Sequence, residues 1–152
     1  MRPNHAQRLS LNIDSHLVID AGAGTGKTKT IVDRVIEHYL ADDQRATRLL
    51  PMPARPGRLA AGAMTDPMGE RVDLQRWPGL IPTEVVVLTF TNLAAEELRH
   101  RLRRELARLT VGSTGESGGQ RSDSRIPLSG LPEQLRTLLE DAPIGTIDSF
   151  LN

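Results

Sequence analysis

The chain has 152 residues, 38% of them apolar and 25% charged, with a formal net charge of +0 and no cysteine. That length holds one domain, and the charge content is that of an ordinary soluble fold rather than a disordered chain. Without thiols there are no disulfides, thiolate metal sites or cysteine catalysis, and a reducing, cytoplasmic setting fits; no apolar run approaches the roughly eighteen residues of a membrane span, and the N-terminus does not read as a secretion signal.

Aromatic residues make up only 3% of the chain, so core energy must come from Leu, Ile, Val and Ala. Among 19 cations only Lys27 and Lys29 are lysines. Where lysine is this rare, its placement carries weight.

Residues 1–40 predict a helix, a strand and a helix. Asn4 can cap a short segment carrying Leu9, Leu11 and Ile13. Leu17-Val18-Ile19, bounded by His16 and Asp20, suits a buried strand. After glycines at 22, 24 and 26, apolar residues at 31, 32, 35, 36, 39 and 40 mark one wide helix face, with Asp33, Arg34, Glu37 and His38 opposite. Residues 41–83 hold six prolines and no periodicity, which reads as a loop insertion that Trp77 could anchor.

Val85-Val86-Val87-Leu88 is a continuous run of the kind buried on both faces of a parallel sheet. A helix over 93–109 follows, with Ala94, Leu98, Leu102, Leu106 and Leu109 as its apolar stripe and Asn92 as N-cap. Glu96 and Glu97 complement its start, and five arginines from Arg99 to Arg108 read as a solvated face. Residues 112–130 form a second, Gly- and Ser-rich loop insertion. Pro132 opens a short helix through Leu135, Leu138 and Leu139, and 144–147 predict a last strand.

The chemistry is concentrated between the first strand and the second helix. Ala21-Gly22-Ala23-Gly24-Thr25-Gly26-Lys27-Thr28 fits the phosphate-loop pattern, in the strand–loop–helix context that the pattern requires. Glycines let backbone N–H groups turn toward phosphate oxygens at a helix N-terminus. Lys27 would neutralise the β- and γ-phosphates, the Thr28 hydroxyl would coordinate Mg²⁺, and Lys29 would point to solvent. The pattern predicts binding of a nucleoside triphosphate.

Three further segments resemble one family. Val87-Leu88-Thr89-Phe90-Thr91-Asn92-Leu93-Ala94-Ala95-Glu96-Glu97-Leu98 is similar to the "LTFTNxAAxEM" element of UvrD/Rep/RecB-like superfamily I DNA helicases. Gly145-Thr146-Ile147-Asp148-Ser149-Phe150 looks like the "GTIHSF" element of the same family, and its ending looks closest to the RecB and AddA type. Gln7-Arg8 stands fourteen residues ahead of Ala21, about where the family's adenine-reading glutamine lies.

The resemblance implies an α/β fold, a partial RecA-like P-loop NTPase domain with a parallel sheet flanked by helices. It implies ATP-driven translocation on single-stranded DNA, with ATP and Mg²⁺ as cofactors and a role in DNA repair. It implies that Gln7 reads the adenine edge and that Gly22 to Thr28 hold the triphosphate. Thr89, Phe90, Thr91, Asn92, Thr146, Ser149 and Phe150 would meet the DNA backbone and bases. Generic sequence statistics place Phe90 in the core and leave Phe150 open between core and stacking. Asp148 departs from the family's histidine, and a carboxylate there repels a phosphate backbone.

A water-activating motif, an apolar strand ending in Asp-Glu, does not stand out. Asp42-Asp43, Glu96-Glu97 and Glu140-Asp141 each fall in the wrong context, although Leu138-Leu139-Glu140-Asp141 imitates the pattern. The expectation is an incomplete helicase ATP-binding domain over 1–152, inactive alone, that works with single-stranded DNA and the rest of a helicase chain or its partner subunits. Two alternatives remain at this point: a non-hydrolysing nucleotide-binding regulatory module, and a phosphotransferase, which shows no acceptor site. His5, His16, His38 and His100 have no metal-ligand spacing.

Overall fold

A computed structural model describes residues 9–11, 17–20, 22, 24–40, 71–75, 77, 79–112 and 130–151. Among them the order is α1 (Lys27–Leu40), β1 (Val87–Thr89), α2 (Asn92–Gly112), α3 (Leu131–Leu138), β2 (Ile144–Thr146) and α4 (Ile147–Leu151). Single 3-10 turns at Pro82–Glu84 and Leu139–Asp141 precede the two strands. The strands form a parallel two-stranded sheet in the register Val87↔Ile144, Leu88↔Gly145 and Thr89↔Thr146. The result is an α/β arrangement with helices on a small parallel sheet. No described helix is long and apolar enough to cross a membrane.

The central helix is α2, which packs against α1, α3 and both strands. Its stripe is the one that the sequence marks, with Leu98, Leu102 and Leu106 buried and Ala94 and Leu109 partly so. Leu131, Leu135 and Leu139 meet this stripe from one side. Val32, Val35, Ile36 and Tyr39 of α1 complete the core. Each buried leucine contributes about 1.5–3 kcal/mol of transfer free energy, which is how a core poor in aromatics holds together.

Two clips fix the segment ahead of β1. The carbonyls of His38 and Tyr39, orphaned at the C-terminal end of α1, accept from Leu80 N–H at 2.8 Å and from the Trp77 indole at 2.7 Å. Trp77 is itself buried, in the anchoring role its sequence position suggested. Farther back, the Gln134 side-chain amide bonds both polar groups of the Val72 backbone, at 2.8 and 2.9 Å.

Three expectations need correction. Leu17 to Ile19 lie outside any strand and are exposed, Val18 almost completely, because no neighbouring strand pairs with them among the described residues. The run at Val85–Leu88 is covered on one face only. Val85 and Val87 turn toward the helices, whereas Val86 and Leu88 remain 57% and 52% exposed, so period-2 alternation governs rather than two-sided burial. The cap of α2 is Thr91, not Asn92: its hydroxyl accepts from Ala94 N–H at 3.1 Å, and Asn92 is already helical.

Candidate nucleotide and nucleic-acid site

The phosphate loop runs into α1 with the geometry that its glycines permit. Gly24 and Gly26 take φ values of 74° and 87°, the left-handed region where a side chain is strained. The Thr25 hydroxyl donates to the Gly22 carbonyl at 2.8 Å, and Lys27 Nζ reaches the same carbonyl at 3.2 Å, so the ammonium folds back over the loop. Lys27 is the first residue of α1, and Thr30 N–H bonds Gly26 O at 3.0 Å to start the helix ladder. Lys29 points away and pairs with Asp33. Amides turned by left-handed glycines, a helix N-terminus and one folded-back ammonium are a donor set that fits a polyphosphate. Gln7, Ala21 and Ala23, the remaining candidates for nucleotide contact, lie outside the described residues.

The two other motifs stand side by side because the strands are parallel. Thr89 ends β1, Thr146 ends β2, and the two are paired in register. A helix begins at once after each strand, which brings two helix N-termini to one sheet edge. The hydroxyls there serve the backbone first. Thr89 Oγ1 lies 2.9 Å from Thr91 O and 3.3 Å from Gly145 O, so its one proton serves either carbonyl in turn. Thr146 Oγ1 accepts from Ser149 N–H at 3.3 Å, and the Ser149 hydroxyl donates to Thr146 O at 2.7 Å.

With those hydroxyls engaged, what faces outward is largely apolar. Phe90 is 97% exposed and Phe150 43%, with Leu93 and Leu151 exposed beside them and Asn92 exposed at the helix start. The core reading of Phe90 is therefore overturned: residue 90 continues the outward alternation of 86 and 88. Leu93 and Leu151 escaped the sequence reading, though Leu93 falls outside the Leu98–Leu102–Leu106 stripe and was findable on that ground. Asp148 is exposed in the first turn of α4, where a carboxylate complements a helix N-terminus.

A cavity of about 660 Å³ opens between these regions. Lys27 and Thr28 line one end of it and Thr89 and Phe90 the other, with Ile31 and Val87 in the walls. Two arginines outside the motifs hold the surroundings in place. Arg99 donates to the Ile144 carbonyl at 3.0 Å and to Glu96 at 2.6 Å, tying α2 to β2, while its buried Nε has no partner among the described residues. Arg34 donates to the Ser10 carbonyl at 2.8 Å, and partial burial lowers its guanidinium below the ordinary value. Spacing alone gives no signal for either bond.

Comparison with known proteins agrees with this layout. The family model of the UvrD/REP helicase N-terminal domain matches residues 2–52 and 76–152. An ATP-dependent helicase/nuclease subunit of Desulforudis audaxviator (strain MP104C) is 34% identical over 137 residues, 90% of this chain. The protein of the same name from Pelotomaculum thermopropionicum is 30% identical over 134 residues, 88% of this chain. In both cases the chain spans 7% of the relative's length. No solved structure matches the chain. The family match covers the phosphate loop, both strand-end motifs and every described helix, and on it the chain belongs to the UvrD/REP helicase family, within its N-terminal domain.

Proposed function

We propose that the chain is the ATP-binding segment of a DNA helicase that translocates on single-stranded DNA, built on a partial RecA-like domain. The observation that carries this reading is the shared cavity: Lys27 and Thr28 of the phosphate loop and Thr89 and Phe90 of the strand-end motif face one space. A change at the triphosphate thereby has a short path to the residues assigned to DNA.

Gly22, Gly24 and Gly26 turn amides toward the triphosphate, Lys27 neutralises its β- and γ-oxygens, and the Thr28 hydroxyl ligates Mg²⁺. Bound ATP–Mg²⁺ supplies a phosphoanhydride whose cleavage drives movement. Ala21 and Ala23 complete the loop, and Gln7 reads the adenine edge. Phe90 and Phe150 offer rings for base stacking, and Asn92 offers a polar contact to the backbone. Thr89, Thr91, Thr146 and Ser149 present their backbone and hydroxyl oxygens within the same ridge. We assign the acidic pair that activates water, and the arginines that reach the γ-phosphate, to other parts of a longer helicase chain or its partner subunits. The relatives' far greater length supports that assignment. Turnover by residues 1–152 alone therefore stays at background, and the DNA partner places the work in the cytoplasm.

Calorimetry with Lys27→Ala tests the nucleotide half. Lys27 is exposed, so its loss leaves the fold intact while ATP binding weakens by about 2 kcal/mol, the worth of one charge-assisted hydrogen bond. Equal affinity in the variant would remove the phosphate-loop assignment.

A further inference from the structure

The phosphate grip described above is the same for any nucleoside triphosphate, so base selection has to come from a second element. Gln7, assigned to the base, stands three residues before Ser10 in the chain. Ser10 is only 6% exposed, and its carbonyl accepts the 2.8 Å bond from Arg34. Arg34 lies on α1, the same helix whose first residues are Lys27 and Thr28. Seven residues of helix place it about 10 Å along the axis from Lys27, a span like that from a triphosphate to its base in an extended nucleotide. One rigid element thus carries both the phosphate cradle and the cation that holds the Leu9–Leu11 turn.

We infer that Arg34 is a positioning residue for base selection: by bonding the Ser10 carbonyl it sets the segment that follows Gln7 at a fixed distance from the phosphate loop. The inference rests on the reading of Gln7 as the adenine reader. Its physical basis is that discrimination by a polar edge requires placement within a fraction of an ångström, whereas charge neutralisation at a phosphate tolerates more. An arginine suits the task because its planar fork, once engaged, leaves few alternative geometries.

The test is calorimetric titration of the chain with ATP and with inorganic tripolyphosphate, both with Mg²⁺, for wild type, Arg34→Met and Arg34→Lys. Arg34→Met keeps the apolar stem and removes the fork, and thermal melts of each variant check the fold. The expected result is about a tenfold loss of ATP affinity in Arg34→Met, unchanged tripolyphosphate affinity, and partial recovery in Arg34→Lys. Equal losses for both ligands would show a general role in folding, and no loss for either would show no role; each result overturns the inference. Failure of the underlying reading is visible separately in the wild type. A wild-type chain that binds ATP no more tightly than tripolyphosphate removes the adenine reader and the inference with it.

Discussion

Gly145 stands where a Cβ would meet the Ser149 hydroxyl at 2.6 Å, the closest approach of α4 to the strand it follows. The absent side chain lets Ser149 fold back onto Thr146 O at 2.7 Å and so starts the helix directly on the strand end. Gly145→Ala forces the serine off that bond, and Ser149→Ala removes it outright, at a cost of about 1 kcal/mol. Because both variants lose the same interaction, the double variant is expected to cost clearly less than their sum. Urea unfolding of the four species gives the coupling. Strict additivity would show that the close contact does not shape α4.

Phe90 separates stability from DNA affinity more cleanly than its neighbours do. Thr91 caps α2 through its hydroxyl, so Thr91→Ala damages the fold and any DNA effect together. Phe90 is 97% exposed and supports nothing in the core. Phe90→Ala should therefore leave the melt within about 0.5 kcal/mol of wild type. Its affinity for oligo-dT should fall by about 1–3 kcal/mol, the worth of one stacked base. Unaltered oligo-dT binding would take Phe90 out of the DNA ridge.

The sequence made some of this legible and concealed the rest for physical reasons. Glycine spacing and the lone pair of lysines located the phosphate loop, because left-handed turns and phosphate charge leave few residue choices. The leucines of α2 announced themselves by period. Side assignment in β1 was harder, since a run of valines and leucine satisfies one-sided and two-sided burial equally. The outward position of Phe90 follows from alternation with Val86 and Leu88, and generic preference for buried rings masked it. Thr91 and Asn92 are both competent caps one residue apart, so sequence alone could not choose between them. The bonds Arg34–Ser10 and Arg99–Ile144 end on backbone carbonyls, which every residue possesses, and no side-chain pattern records them.

Gly79 is fixed by the clip at the end of α1. A Cβ there would lie 2.1 Å from Tyr39 O and 2.4 Å from the Trp77 indole nitrogen. Backbone cannot yield as a flexible side chain does, so Gly79→Ala must displace the Trp77 bond, at a cost of about 1–3 kcal/mol. Trp77→Phe removes the same bond without the clash, yet also sacrifices buried ring area. A lowered urea midpoint in Gly79→Ala, with tryptophan emission shifted to the red, is the expected outcome. An unchanged midpoint and spectrum would mean the segment is not held by this contact.

Tyr39 gives the pH-dependent prediction. Its ring is fully buried and its hydroxyl has no hydrogen-bond partner among the described residues. Burial pushes the phenol well above its ordinary value of 10.0, because the phenolate would have to be desolvated. Below that value both folded and unfolded chains keep the proton, and the residue adds no pH dependence. As pH rises past about 10, the unfolded chain releases the proton and the folded chain retains it. The folded state then binds more protons than the unfolded state, so stability falls with rising pH. Tyr39→Phe removes an unsatisfied buried hydroxyl and should gain on the order of 1 kcal/mol at neutral pH. It should gain more above pH 10, where the wild type alone carries the alkaline loss. Urea unfolding of both proteins from neutral pH to above 10 reads the two curves. Parallel curves across that range would show that Tyr39 ionises as freely in the folded chain as in the unfolded one.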